Sequence, residues 1–164
     1  FVAFAFQPLH QHPMEQLLEW RSAFFEERIR PLMLASGQER INWHKQQGDH
    51  PVVITATNSF VTRPIAEAFG IDTLLATEPA QKDGQFTGEL EGIPCFQDGK
   101  VKRLEQWMQT QQQSLAGSWF YSDSHNDLPL LKAVDNPVVV DADDKLLKFA
   151  QDNAWEVTSF RTSQ

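Results

Sequence analysis

The sequence predicts an α/β fold, a Rossmann-like parallel sheet with helices on both faces, preceded by a helical segment. Three observations predict it. Short β-branched runs such as Pro51-Val52-Val53-Ile54-Thr55 and Pro137-Val138-Val139-Val140 are too short for helices and read as strands covered on both faces. These runs alternate with helical stretches, the pattern that builds parallel sheets. The composition is that of an ordinary globular chain, with 164 residues, 41% of them hydrophobic and 22% charged, which suits one domain or a core with a small appendage.

The elements follow in order. The first fifty residues read as helical. His12-Pro13-Met14-Glu15 resembles a helix entry with Pro near the first turn. Leu17, Leu18, Phe24, Phe25, Ile29 and Leu32 recur at helical spacing, interrupted at Pro31. Ser36-Gly37-Gln38-Glu39 opens a further helix that ends at Gly48. Pro51 to Thr55 is then the first strand, Phe60 to Phe69 a helix closed by Gly70, and Leu74 to Thr77 a second strand. Gln85 to Glu91 alternates like a hairpin arm. A helix with Val101, Leu104, Trp107 and Met108 inward runs from Lys100 to about Gln112. Trp119-Phe120-Tyr121 is a third core strand, Asp127 to Val134 a short helix, and Pro137 to Val140 a fourth strand. Asp143 to Ala154 is helical, and Trp155-Glu156-Val157 is the last strand.

Composition excludes several function classes. The net charge is -8, and the densest basic run, Lys100, Lys102 and Arg103, sits beside Glu105, so nucleic acid is not an expected partner. No apolar run approaches the roughly 20 residues of a membrane span, and the opening Phe1 to Phe6 has no basic stretch before it. A cytoplasmic chain is expected. The single cysteine, Cys95, forms no disulfide within the chain and reads as a small packed residue. The histidines show no zinc spacing. His125, inside an acidic loop, is within reach of a substrate or simply solvated.

Ligands bind at the carboxyl ends of strands in open α/β sheets, so the residues after each strand carry the chemistry. Thr55-Ala56-Thr57-Asn58 follows the first strand, and Ser122-Asp123-Ser124-His125-Asn126-Asp127 the third. Lys100 opens the helix between them. A phosphoryl group needs hydroxyl and N–H donors, a cation, and carboxylates for a divalent metal. Thr55 offers the hydroxyl, Ala56 an N–H at a helix entrance, Lys100 the cation, and Asp123 and Asp127 the hard oxygens that Mg²⁺ takes. Each has a plainer role: Thr55 and Thr57 as strand and N-cap residues, Lys100 as a solvated lysine, Asp127 as an N-cap. Asp123, directly after an apolar strand, is the hardest to reduce in this way. Taken together and in this order, the three sites favour function.

These residues resemble the motifs of haloacid-dehalogenase-type hydrolases. Ile54-Thr55-Ala56-Thr57 is similar to the second motif, Gly99-Lys100-Val101-Lys102-Arg103-Leu104 to the third, and Tyr121 to Leu131 to the fourth, usually written Gly-Asp-Ser-x-x-Asp. Ser122 stands where that motif has Gly. The hairpin Asp83-Gly84-Gln85-Phe86-Thr87-Gly88 points to the phosphoserine-phosphatase-like branch, and the resemblance spans about Pro51 to Phe160. It implies an Mg²⁺-dependent phosphomonoester hydrolase of a small phosphorylated metabolite. An attacking Asp forms an aspartyl-phosphate, and a second Asp protonates the leaving group. The threonine hydroxyl and the next N–H hold phosphoryl oxygens, the lysine neutralises charge, and the first aspartate of the fourth motif binds the metal while the second supports it. By position these roles fall on Thr55, Ala56, Lys100, Asp123 and Asp127, with Asn126 near the phosphate or a metal water.

The first motif, Asp-x-Asp-x-Thr, has no match before Pro51, where Asp49 is the one aspartate. A similar run, Val140-Asp141-Ala142-Asp143-Asp144-Lys145, has Lys where Thr is expected, and Asp143 and Asp144 read instead as acids at a helix N-terminus. The expectation is that residues 1–48 are part of a helical cap and 49–164 a phosphohydrolase core. The nucleophile would lie upstream of Phe1, so this chain alone would be inactive, and the missing N-terminal segment or a partner would cover a gap in the sheet. The alternative is a non-catalytic phospho-ligand-binding or regulatory domain. A receiver-type phosphoacceptor ranks last, since its acidic pair near the N-terminus is missing.

Overall fold

The computed structural model describes residues 2–161. Phe1 and residues 162–164, which fall within the expected helical segment and core, lie outside the described residues. By their contacts the residues form two compact units, Phe1–Met33 with Gln38–Phe96, and Leu34–Gly37 with Gln97–Gln164.

In the first unit, α1 (Val2–Gln11) and α2 (Met14–Phe24) are separated at Pro13, the extended N-cap of α2. The break expected at Pro31 is a change of helical register. Phe25–Ile29 forms a π turn, in which the Arg30 N–H reaches the carbonyl of Phe25, and Arg30–Leu32 is a 3₁₀ turn. Proline supplies no N–H and crowds the preceding turn, so the ladder widens and then tightens around it. Helix α3 (Ala35–Gln46) follows. Phe6 and Leu9 of α1 and Leu17 of α2 form a buried cluster with Phe86, so the helical opening packs on the hairpin strand.

The strands are β1 (Val52–Asn58), β2 (Thr73–Lys82) and β3 (Gln85–Glu91), with α4 (Ser59–Ala68) between the first two. β1 pairs in parallel with β2, and β2 antiparallel with β3. The hairpin turn is Asp83-Gly84, with φ of 53° and 76°, the left-handed pair that two-residue hairpins require. Ala66 of α4 packs on Leu74 and Ala76. One expectation is corrected here. The first strand is not buried on both faces: Val52 to Thr55 are half-buried, and Ala56 and Thr57 are exposed. The cause is its place at the edge of the order β1-β2-β3, paired with β2 alone among the described residues.

The second unit contains α5 (Asp98–Gln111), β4 (Trp119–Ser122), α6 (Leu128–Leu131), β5 (Asn136–Val140), α7 (Asp144–Asp152) and β6 (Glu156–Thr158). Its sheet, β4-β5-β6, is parallel throughout. Leu131, Val139, Leu146 and Ala150 form its core, with Phe120 and Trp155 against them. Each fully buried leucine contributes about 1.5–3 kcal/mol. The aromatic residues of β4 are half-buried, and the buried member of that strand is Ser122, because β4 is also an edge strand. The expected helix over Asp127 to Val134 is shorter, a 3₁₀ turn His125–Asp127 followed by the single turn α6. Parallel strand pairs with helices thus occur in both units, with an antiparallel hairpin strand added in the first. No described helix is long and apolar enough to cross a membrane.

Candidate active site

The expected site residues divide between the two units. Thr55 and Ala56 belong to the first; Lys100, Asp123, Asn126 and Asp127 belong to the second.

In the first unit the Thr55 hydroxyl accepts the Thr57 N–H at 3.1 Å, which leaves its own O–H available to donate. Two details differ from expectation. Ala56 lies inside β1 and not at a helix entrance, because α4 begins only at Ser59. The N-cap is Asn58 and not Thr57: its side-chain oxygen accepts the Val61 N–H at 3.0 Å. Asn is a strong N-cap residue, and its position lets the strand run three residues beyond Thr55.

The second unit gathers its groups at the carboxyl end of β4. Lys100, in the first turn of α5, places its Nζ 2.6 Å from Asp127 Oδ1. The two side chains are only 12% and 10% exposed, so Lys100 is not a solvated surface lysine. Asp127 stands at the N-cap position of α6 but makes no capping bond. Its oxygens are directed elsewhere, Oδ1 to Lys100 and Oδ2 to the Ser122 hydroxyl, which donates to it at 2.7 Å. The simple capping role is thereby excluded.

Asp123 is exposed, and its carboxylate has no partner among the described residues. Its backbone is fixed, with the carbonyl accepting the Asp143 N–H at 3.0 Å. Asp123 also lines an open recess of about 340 Å³, shared with Tyr121, Asp141 and Phe160. Asn126 is exposed, and its N–H donates to the Ser124 hydroxyl at 3.2 Å.

Asp143, from the Asp-x-Asp run after β5, holds this loop. Its Oδ2 accepts the His125 N–H at 2.9 Å, and His125 Nδ1 lies 3.1 Å from the same oxygen. Its Oδ1 accepts the Leu146 N–H at 2.8 Å as the N-cap of α7. These donors, the His125 N–H first and the Leu146 N–H second, hold the carboxyl down at about 2. Asp141 is likewise committed. It accepts from the Ser159 hydroxyl at 2.5 Å and from the Phe160 N–H at 3.2 Å, and the Ser159 bond is the main cause of its lowered pKa. Neither carboxylate has the look of a nucleophile.

Sequence reasoning passed over Ser122, noted there only as a departure from Gly. The signal that finds it is strand alternation: Phe120 faces the core, so Ser122, two residues on, faces inward too.

The donor set suits a hard divalent cation. Asp123 is an exposed carboxylate with no partner among the described residues, and Asp127 a buried carboxylate two lone pairs of which are already used. Among the described residues no three His, Cys, Asp or Glu side chains form a cage.

Comparison with known proteins agrees with these features. The family model of haloacid dehalogenase-like hydrolases matches residues 1–132. A histidinol-phosphatase of Neisseria meningitidis is 36% identical over 165 residues, covering 98% of this chain and 74% of that protein. The chain spans 46% to 53% of the length of six further curated relatives. A crystal structure of a Bordetella pertussis protein of unknown function superposes with a TM-score of 0.94 at 39% identity, over 98% of this chain and 73% of that one. Phosphoserine phosphatase in its apo form shares the fold, with a TM-score of 0.59 at 22% identity over 76% of this chain and 60% of that one. The chain belongs to the haloacid dehalogenase-like hydrolase family and is a hydrolase chain of the phosphatase type.

Proposed function

We propose that the chain serves an Mg²⁺-dependent phosphomonoester hydrolase that acts on a small phosphorylated metabolite in the cytoplasm through an aspartyl-phosphate intermediate. The observation that carries this is the buried Lys100–Asp127 pair, whose aspartate closes the loop that holds the exposed Asp123, a carboxylate without a partner among the described residues. An ammonium paired deep beside a strand end is costly to build for stability alone and suits a phosphoryl charge.

The roles follow from the chemistry of each group. Lys100 presents a fixed positive charge to the phosphoryl oxygens and to the attacking carboxylate. Asp127 orients that ammonium and supports the metal shell. Asp123 supplies the first carboxylate ligand, and Asn126 a polar group beside the phosphate. The Thr55 hydroxyl and the Ala56 N–H donate to phosphoryl oxygens. Mg²⁺ held by Asp123, with Asp127 in support, would screen the phosphate's charge. Residues 1–48 serve as part of a helical cap that selects the substrate, and residues 49–164 as the phosphohydrolase core.

The test is a phosphatase assay of the intact gene product with Mg²⁺, since hydrolysis also requires an attacking aspartate. Histidinol phosphate and phosphoserine are the first substrates to offer, from the names of the relatives. Asp123→Asn, Lys100→Ala and Thr55→Val are compared with the wild type. Loss of turnover in the first two is expected; full activity in both overturns the assignment.

A further inference from the structure

We infer that Ser122 is a positioning residue of this site, whose hydroxyl aims the Asp127 carboxylate at Lys100. The geometry stands on its own, and only its catalytic consequence rests on the phosphatase assignment above.

A serine hydroxyl has one hydrogen to donate and two lone pairs. At Ser122 one lone pair accepts the Ser124 N–H at 3.2 Å, and the hydrogen goes to Asp127 Oδ2 at 2.7 Å. The direction of the second bond is fixed, because an ionised carboxylate only accepts. Ser122 itself cannot shift. Its backbone is in register with the buried Val139 of β5, and its side chain is on the core face of β4.

The loop beyond Ser122 is closed by its own bonds. The Asn126 N–H donates to the Ser124 hydroxyl at 3.2 Å, and the Asp127 N–H to the Ser124 carbonyl at 3.0 Å. Those bonds place the Asp127 backbone but not its carboxylate. The carboxylate plane is set by two contacts, Lys100 on one oxygen and Ser122 on the other. Lysine is a flexible chain ending in a rotatable ammonium and sets no plane. Ser122 is therefore the rigid member of the pair. A glycine at this position, as in the motif's usual form, leaves Oδ2 of an 8% exposed aspartate without that donor.

The test uses the intact gene product, para-nitrophenyl phosphate and Mg²⁺, with Ser122→Ala, Ser122→Gly and Ser122→Thr. Ser122→Ala and Ser122→Gly are expected to lower kcat roughly tenfold or more, the size of one lost charge-assisted bond. KM is expected to change less than about twofold, because substrate binding itself is untouched. Ser122→Thr, which keeps the hydroxyl, restores most of kcat. A merely structural serine would not produce this split or this rescue.

A second measurement does not depend on turnover. In urea unfolding, Ser122→Ala and Lys100→Met act on the same carboxylate, so their losses are coupled and the double variant departs from the sum. Wild-type kcat in Ser122→Ala, or strictly additive losses, overturns the inference. A wild-type protein that leaves the phosphate ester intact sinks the phosphatase assignment instead, and the unfolding cycle then decides the role of Ser122 alone.

Discussion

Replacing Lys100 by Met keeps most of the side-chain volume and removes the charge. Asp127 is then left 10% exposed, with one donor, the Ser122 hydroxyl. Breaking a buried pair from one side costs about 3–5 kcal/mol, because the remaining charge is stranded. The low end applies here, since Ser122 still serves one oxygen and a tenth of each side chain reaches water, so a loss of about 3 kcal/mol is expected. For a chain of this size that lowers Tm by roughly 6–12 °C. The double variant Lys100→Met with Asp127→Asn removes the stranded charge and keeps an acceptor for Ser122. It is expected to be more stable than Lys100→Met alone, although it carries one more substitution. Equilibrium urea unfolding of the three proteins measures both quantities. A loss below about 1 kcal/mol for Lys100→Met, the level of a surface ion pair, refutes the buried-pair reasoning. So does a double variant that is the least stable of the three.

Other outcomes follow from neighbouring residues. Asp123→Asn changes stability by no more than about 0.5 kcal/mol, since an exposed carboxylate without partners is being altered, while Mg²⁺-dependent turnover falls by about a hundredfold; paired unfolding and kinetic measurements check both. Asp143→Ala removes the cap of α7 and costs about 1 kcal/mol by urea unfolding at neutral pH. Because Asp143 is held at about 2 against an ordinary 3.8, its contribution is present above pH 3.8 and fades as pH falls toward 2. The difference between wild type and Asp143→Ala therefore shrinks on acidification, and one that grows contradicts the assignment. Gly84→Ala meets no atom within 4 Å but sits at φ +76°, so its cost of about 1 kcal/mol is purely conformational and is read as a shift in urea midpoint.

The alternation of strands and helices was legible because each signal is local. Val138 and Val139 are fully buried, as an apolar run predicts, and Asp83-Gly84 forms the hairpin turn that its residues favour. What failed was inference about neighbours. Val52-Val53-Ile54 has the composition of a central strand yet is half-buried, since composition reports what a strand tolerates and not how many partners it has. Ala56 was misplaced for a related reason. Asn58 outcompetes Thr57 as a cap, so the helix begins later than the threonine pair suggests.

At the site, residue types were legible and their commitments were not. An aspartate before Leu-Pro is as good a cap as it is an ion-pair partner, and spacing cannot choose between them. The choice at Asp127 is made by a lysine 27 residues away and by a serine five residues before it at the end of β4, and the first of these is a long-range fact. The same logic separates the Asp141-Ala142-Asp143 run from the Asp123 loop. Asp143 accepts from the His125 and Leu146 N–H groups and Asp141 from the Ser159 hydroxyl and the Phe160 N–H, whereas the Asp123 carboxylate has no donor among the described residues. A carboxylate whose oxygens are filled by N–H groups is structural, and one left open at a strand end is available for a ligand. That distinction requires coordinates, and it is what moves the weight of the site onto Asp123 and the Lys100–Asp127–Ser122 triplet.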